Sequence, residues 1–77
     1  MLKIKASSPI VIQEEKEYQC LDENDNELFN HEPLITNIKL KNGDIIVYSY
    51  NGIITNYSVL KLKSVANGIA LILLRAN

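Results

Sequence analysis

Three Asn-Gly pairs punctuate the second half of this 77-residue chain, at Asn42-Gly43, Asn51-Gly52 and Asn67-Gly68, and they contain all three of its glycines. Asn-Gly is the preferred pair in two-residue β-hairpin turns, because both central residues of such a turn adopt a positive φ. The runs between the pairs are rich in Ile, Val, Leu, Tyr and Thr, which favour strands. We therefore predict that residues 34–75 form an antiparallel meander, with no glycine left for a phosphate-binding loop.

The first half of the chain contains shorter strand signals. Apolar and lysine residues alternate over residues 2–6, which predicts a half-buried strand, and a β-branched run follows at residues 9–12. Residues 18–21 and 27–30 are expected to form two short strands around a loop dense in Asp and Asn. The acidic residues 13–17 between them are interpreted as a connection, or at most a helical turn.

Two segments of the meander depart from regular strand patterns. Residues 53–64 are too long for one regular strand, and their hydrophobic phase shifts at Val59-Leu60, which predicts a β-bulge or a sharp bend. The alternative is a short helix over residues 57–66, although Lys61 and Lys63 alternate with apolar residues as in a strand.

Residues 69–74 are apolar without interruption, as in a strand that is central in its sheet or covered on both sides. In so small a protein, the second face of this strand could be covered by another copy of the chain. The residues expected to mediate such self-association are Ile69, Leu71 and Leu73.

Together these signals predict one all-β domain over residues 1–77, a small, partly open barrel of SH3-like or Sm-like type with room for one short helical turn. The segment LKNGDII at residues 40–46 resembles the first hairpin of Sm-like proteins. Ser49-Tyr50 stands where a glycine would be expected in those proteins, so the resemblance is one of pattern and implies no function.

Charge is distributed unevenly, although the formal net charge is only −1. Residues 6–33 carry eight carboxylates and one lysine, a local balance of −7, whereas residues 34–77 carry five basic side chains and one carboxylate, a balance of +4. Such an uneven charge distribution can attract partners or align copies of the same protein. It would also arise if two solvent-exposed strand faces simply differed in charge.

Several classes of protein are not indicated by the sequence. Cys20 is the only cysteine, which excludes an internal disulfide and a zinc site made of several cysteines. No signal-peptide pattern or membrane-spanning apolar run is present, so we expect a soluble, cytoplasmic protein without membrane contact. The abundance of Asn, Ile and Lys suggests an AT-rich coding sequence, as in phages and mobile elements.

Candidate chemical motifs are weak. Asp22-x-Asn24-x-Asn26 resembles the start of a calcium-binding loop, but Glu27 stands at the position that requires glycine. Cys20 and His31 are interpreted as a buried apolar residue and an exposed loop residue rather than a catalytic pair. We therefore predict no enzyme activity and no metal or other cofactor.

Two surfaces remain as candidate binding sites. The leading hypothesis is a non-enzymatic, homo-oligomeric interaction module, an accessory or anti-defence type of phage or mobile-element protein, that binds a protein partner through an acidic segment and strand edges. The alternative is a small barrel that binds nucleic acid, with bases stacked on tyrosines flanked by lysines. The acidic set comprises Glu14, Glu15, Glu17, Asp22, Glu23, Asp25 and Glu27, and the alternative set comprises Lys39, Lys41, Tyr48, Tyr50, Tyr57, Lys61 and Lys63.

Overall fold

The computed structural model describes residues 1–6 and 9–76, and these form a nearly closed six-stranded barrel with one unsealed seam. The predicted all-β, partly open barrel is therefore confirmed. Among the described residues, the one helical element is the short turn η1 at Phe29–His31, all of whose residues have a positive φ. The strands are β1 Leu2–Lys5, β2 Val11–Leu21, β3 Leu34–Ile38, β4 Ile45–Tyr50, β5 Ile53–Val65 and β6 Gly68–Arg75.

The strand order is β1-β4-β5-β6-β2-β3, so β1 and β3 are the two edges that flank the seam. Neighbouring strands are antiparallel except β2 and β6, which run parallel. The meander comprises only β4, β5 and β6, and the prediction that it begins at residue 34 is wrong, because β3 pairs with β2.

The turn that ends at Asp44 links β3 to β4, which do not pair with each other among the described residues. The buried Asp44 carboxylate accepts a hydrogen bond from the Lys41 backbone N–H at 3.0 Å, which closes the turn that contains Asn42-Gly43. The same turn is bonded to β5, since the Gly43 N–H donates to the Val59 carbonyl and the Val59 N–H donates to the Asp44 carbonyl, each at 2.8 Å. The turn therefore carries the chain from the β3 edge to β4.

The Asn-Gly pairs serve three different purposes. Asn51-Gly52 forms the predicted hairpin turn between β4 and β5, with φ of 52° and 78° at its two residues. The β5–β6 turn instead consists of Ala66-Asn67, and Gly68 is the first residue of β6, where it pairs with Val65. Only one of the three pairs is therefore a two-residue hairpin turn of the expected kind.

Strand β5 is continuous over 13 residues, so the prediction of a strand over residues 57–66 is confirmed and the helix alternative is wrong. Its pairing with β6 shifts register between Val59 and Lys61, which leaves Leu60 as the extra residue. This is the bulge predicted at Val59-Leu60, and such bulges bend a strand as barrel closure requires.

Strand β6 is central and buried on both faces, as its apolar run predicts. One face carries Leu71 and Leu73 into the main core, which fills the barrel. The other carries Ala70 and Ile72 into a smaller cluster with Leu21 and the half-buried Val65. The main core consists of Tyr18, Cys20, Phe29, Leu34, Leu40, Ile46, Val59, Leu71 and Leu73.

Two local predictions in the first half are wrong. Residues 13–17 lie inside β2 rather than in a connection or helical turn. Residues 27–30 form no strand: beyond an isolated bridge from Glu27 to Leu21, the chain enters η1 with a positive φ at Phe29, Asn30 and His31. This left-handed turn directs the Phe29 ring into the core. No helix in the described ranges is long and apolar enough to cross a membrane.

Candidate protein-binding surface

The first half of β2 contains four consecutive residues without a strand partner. Val11 pairs with Ile38 and Lys16 pairs with Thr36 on β3, so residues 12–15 lie opposite Asn37 alone. On its other side β2 pairs with β6 only from Tyr18 onward. Within residues 1–6 and 9–76, residues 12–15 are therefore an extended stretch that has no register partner on either side.

This stretch is acidic and exposed. Glu14, Glu15 and Glu17 are exposed carboxylates, with Lys16 as the one cation among them, and none of the four forms a salt bridge within the described residues. We refer to residues 12–17 as the acidic strand segment. A partner with positive charge would reduce the repulsion among its carboxylates.

Exposed apolar side chains flank the acidic strand segment. Val11, which precedes it, is 66% exposed, and Ile35, which pairs with Glu17, is 55% exposed. Residues paired across neighbouring strands project on the same face, so Ile35 and Glu17 lie side by side. The surface therefore combines negative charge with apolar contact area, as protein interfaces commonly do.

The acidic residues of the loop after β2 are largely engaged within the chain. Asp22 accepts hydrogen bonds from the backbone N–H groups of Asn26 and Asn24 at 2.9 and 2.8 Å, and these bonds lower the pKa of the Asp22 carboxyl. Asp25 pairs with Lys63, and Glu27 pairs with the imidazole of His31. Of the predicted acidic set, Glu14, Glu15 and Glu17 are thus better placed for a partner than the loop residues, of which Glu23 alone is exposed without such a contact in the described chain.

Cys20 and His31 both line a cavity of about 130 Å³, and Glu17, Glu27 and Glu32 also lie in its wall. Burial, with a smaller contribution from the negative charge of Glu32, raises the pKa of the Cys20 thiol to about 12. A thiol with so high a pKa is protonated at neutral pH and is a poor nucleophile. The described residues include no group of three or more His, Cys, Asp or Glu side chains arranged to hold a metal ion.

The predicted lysines and tyrosines do not share one face. Tyr48 and Tyr57 pack against the main core, and the Tyr50 ring lies parallel to that of Tyr48 with centroids 6.2 Å apart. Lys61 and Lys63 pair with Ile72 and Ala70, which belong to the opposite face of the sheet. Lys39 and Lys41 lie in the β3–β4 connection, where the Lys39 N–H donates to the Ile10 carbonyl at 2.7 Å, beside the last pair of β2 and β3.

Sequence reasoning missed the role of Phe29. Its ring stacks on Tyr48 with centroids 4.4 Å apart and meets Tyr57 edge-on at 5.2 Å. The rings of Tyr48 and Tyr57 are therefore partly covered by aromatic contacts with Phe29 in the same chain. The only sequence signal was that Phe29 is the single phenylalanine of the chain.

The residues predicted for self-association lie mostly inside the molecule. Leu71 and Leu73 are 0% and 1% exposed in the main core, and Ile69 is half-buried against it. Self-association through a surface would have to use other side chains.

Sequence reasoning also missed an outward face of β1, β4 and β5. Leu2 and Ile4 pack on the core, so the alternate residues Lys3 and Lys5 project outward together with their β4 partners Val47 and Ile45. A cavity of about 170 Å³ on this side is lined by Met1, Lys3, Val47, Ser49 and Ile54. We refer to this surface as the basic face, defined by Lys3, Lys5, Ile45, Val47, Ile54 and Leu74.

Comparison with known proteins gave no match to a protein family, to a curated protein or to a solved structure.

Proposed function

We propose that this protein is a non-catalytic interaction module that binds an extended, basic segment of a protein partner through the acidic strand segment. The observation that carries the proposal is the stretch of residues 12–15, which is already extended and has no register partner among the described residues. Backbone N–H and C=O groups in such a stretch can pair with an added strand without breaking an existing ladder.

The side chains define the chemistry of the partner. Glu14, Glu15 and Glu17 favour lysine or arginine, and the exposed Val11 and Ile35 favour apolar β-branched residues. The partner segment that fits both features is a strand in which basic and β-branched residues alternate. Backbone pairing contributes affinity, while the charges contribute selectivity and a faster association rate.

A fluorescent peptide of sequence Lys-Thr-Lys-Val-Lys-Thr-Lys tests the proposal by fluorescence anisotropy. We expect binding that weakens as the ionic strength rises, because the attraction between exposed charges is screened. Glu14→Gln should weaken binding, whereas Glu23→Gln, the same change of one charge at an exposed loop residue, should not. Equal affinity of all three proteins, or equal binding of a peptide with glutamate in place of lysine, would refute the proposal.

The biological setting proposed with this function is an accessory or anti-defence role in a phage or mobile element, and its support is the Asn-, Ile- and Lys-rich composition alone. An acidic, strand-like surface is suited to occupy the basic groove of a nucleic-acid-binding protein. The alternative function, nucleic-acid binding, has less support, since its lysines 61 and 63 and its tyrosines lie on opposite faces.

A further inference from the structure

The basic face and the acidic strand segment of the same chain are complementary in charge. Lys3 and Lys5 alternate along β1 and are both exposed, while Glu14, Glu15 and Glu17 are exposed on β2. None of these five side chains forms a salt bridge within the described residues. The molecule therefore carries both halves of an ionic contact and satisfies neither half itself.

The two surfaces are also complementary in their apolar groups. The basic face has a cavity beside Lys3, and Ile54, which lines it, is 64% exposed. The acidic strand segment is flanked by Val11 and Ile35, whose side chains project from the surface. Apolar groups at the centre of a contact with charges around them are the usual composition of a protein interface.

We propose that the occupant of the acidic strand segment is β1 of a second copy of this chain, an edge strand that carries Lys3 and Lys5 of the basic face, which gives head-to-tail self-association. This inference rests on the proposed function and specifies its partner. The contact joins different surfaces of the two copies, so each added copy leaves one basic face and one acidic segment free. Such an interface generates a ring when the rotation closes and a filament when it does not.

Lys3 and Lys5 lie on the edge strand β1, and the described residues contain no ion pair between these lysines and the acidic strand segment. Copies can therefore meet without breaking an ion pair within either chain. The assembly forms and dissolves with protein concentration and salt, as expected for a contact rich in exposed charges.

Charge reversal in trans tests this inference by sedimentation velocity over a range of concentrations. Lys3→Glu with Lys5→Glu, and separately Glu14→Lys with Glu15→Lys, should each lower the association constant more than about tenfold. An equimolar mixture of the two variants should associate again, because each supplies the surface that the other lacks. Lys41→Glu with Lys61→Glu provides a control with the same change of charge at two exposed residues outside both surfaces, and it should behave like the wild type.

The outcomes separate this inference from the proposed function. A wild-type protein that stays monomeric but binds the lysine peptide would overturn self-association and leave the proposed function standing. A monomer that also fails to bind the peptide would overturn both. An oligomer whose association is unchanged by both charge reversals, or two variants that fail to associate when mixed although circular dichroism shows both to be folded, would overturn the head-to-tail contact.

Discussion

The ammonium group of Lys63 lies 3.1 Å from both carboxylate oxygens of Asp25, a residue 38 positions earlier in the sequence. Lys63 projects from the same face of the sheet as Ala70, so this ion pair brings the acidic loop after β2 to the face that carries the smaller apolar cluster. Two side chains that the sequence assigns to separate binding surfaces are thus partners within one chain.

The contribution of this ion pair to stability should be small, because both side chains are substantially exposed. We expect a double-mutant cycle of Asp25→Ala and Lys63→Ala to give a coupling free energy of about 0.2–1 kcal/mol at low salt and less in 0.5 M salt, where screening is strong. Urea denaturation of the four proteins measures it. A coupling that does not decline with salt would show that the two residues interact by another route.

Leu71 and Leu74 provide a comparison between a buried and an exposed position of β6. Leu71 is fully buried, so Leu71→Ala should lower the free energy of unfolding by about 2–5 kcal/mol through lost burial and a residual cavity. Leu74 is 42% exposed, and the same substitution there should cost much less. Thermal or urea denaturation distinguishes them. Equal costs would contradict the placement of Leu71 in the core of its own chain.

Cys20 should make stability fall in alkaline solution. Burial raises the pKa of its thiol from 9.0 to about 12, so between these values the folded protein retains a proton that the unfolded chain has lost. The contribution of the buried, protonated thiol to the free energy of unfolding is therefore complete below pH 9. It is lost progressively as the pH rises toward 12, by up to about 1.4 kcal/mol per pH unit. The free energy of unfolding of the wild type should decline more steeply over this range than that of Cys20→Ala. Parallel profiles would mean that the thiol is accessible to water.

Proline substitution distinguishes the paired half of β2 from its unpaired half. Proline removes a backbone N–H, which is costly where that group bonds to a neighbouring strand. Gln19 pairs with Ala70 of β6, so Gln19→Pro should destabilise the protein strongly, whereas Glu14 has no register partner and Glu14→Pro should have little effect. Urea midpoints give the comparison. Unfolding of both variants would show that residues 12–15 are paired after all.

One of the two variants Glu14→Pro and Glu15→Pro should nevertheless weaken binding of the lysine peptide, because successive N–H groups of a strand point to opposite sides and an added strand needs those on its own side. Retention of full affinity by both variants would indicate recognition through side chains alone.

The parts of the fold that sequence reasoning predicted are those dictated by local pattern. The hydrophobic phase shift at Val59-Leu60 indicated the bulge, and the apolar run at residues 69–74 indicated a strand covered on both faces. Both are properties of side-chain alternation, which is visible in the sequence. The positive φ at Asn51-Gly52 follows from turn chemistry in the same way.

The errors concern pairing between distant segments. β3 pairs with β2 rather than β4, and the Asp44 turn bonds to Val59, but nothing in the local pattern of residues 34–44 specifies either contact. The acidic run at residues 13–17 has poor intrinsic strand propensity; its last two residues pair with β3, and residues 13–15 lie between these and the pair Val11–Ile38. The sequence therefore predicts the negative charge of the acidic strand segment but not its strand pairing.

Hydrogen exchange at the backbone amides of residues 12–15, followed by NMR with and without the lysine peptide, tests the central claim most directly. We predict rapid exchange at Gln13, Glu14 and Glu15 in the free protein at a concentration where it is monomeric. When the peptide is bound, exchange should slow at alternate amides of this stretch, because successive N–H groups of a strand point to opposite sides. Exchange that is already slow in the free monomer, or that the bound peptide leaves unchanged at all three amides, would contradict strand addition at this segment.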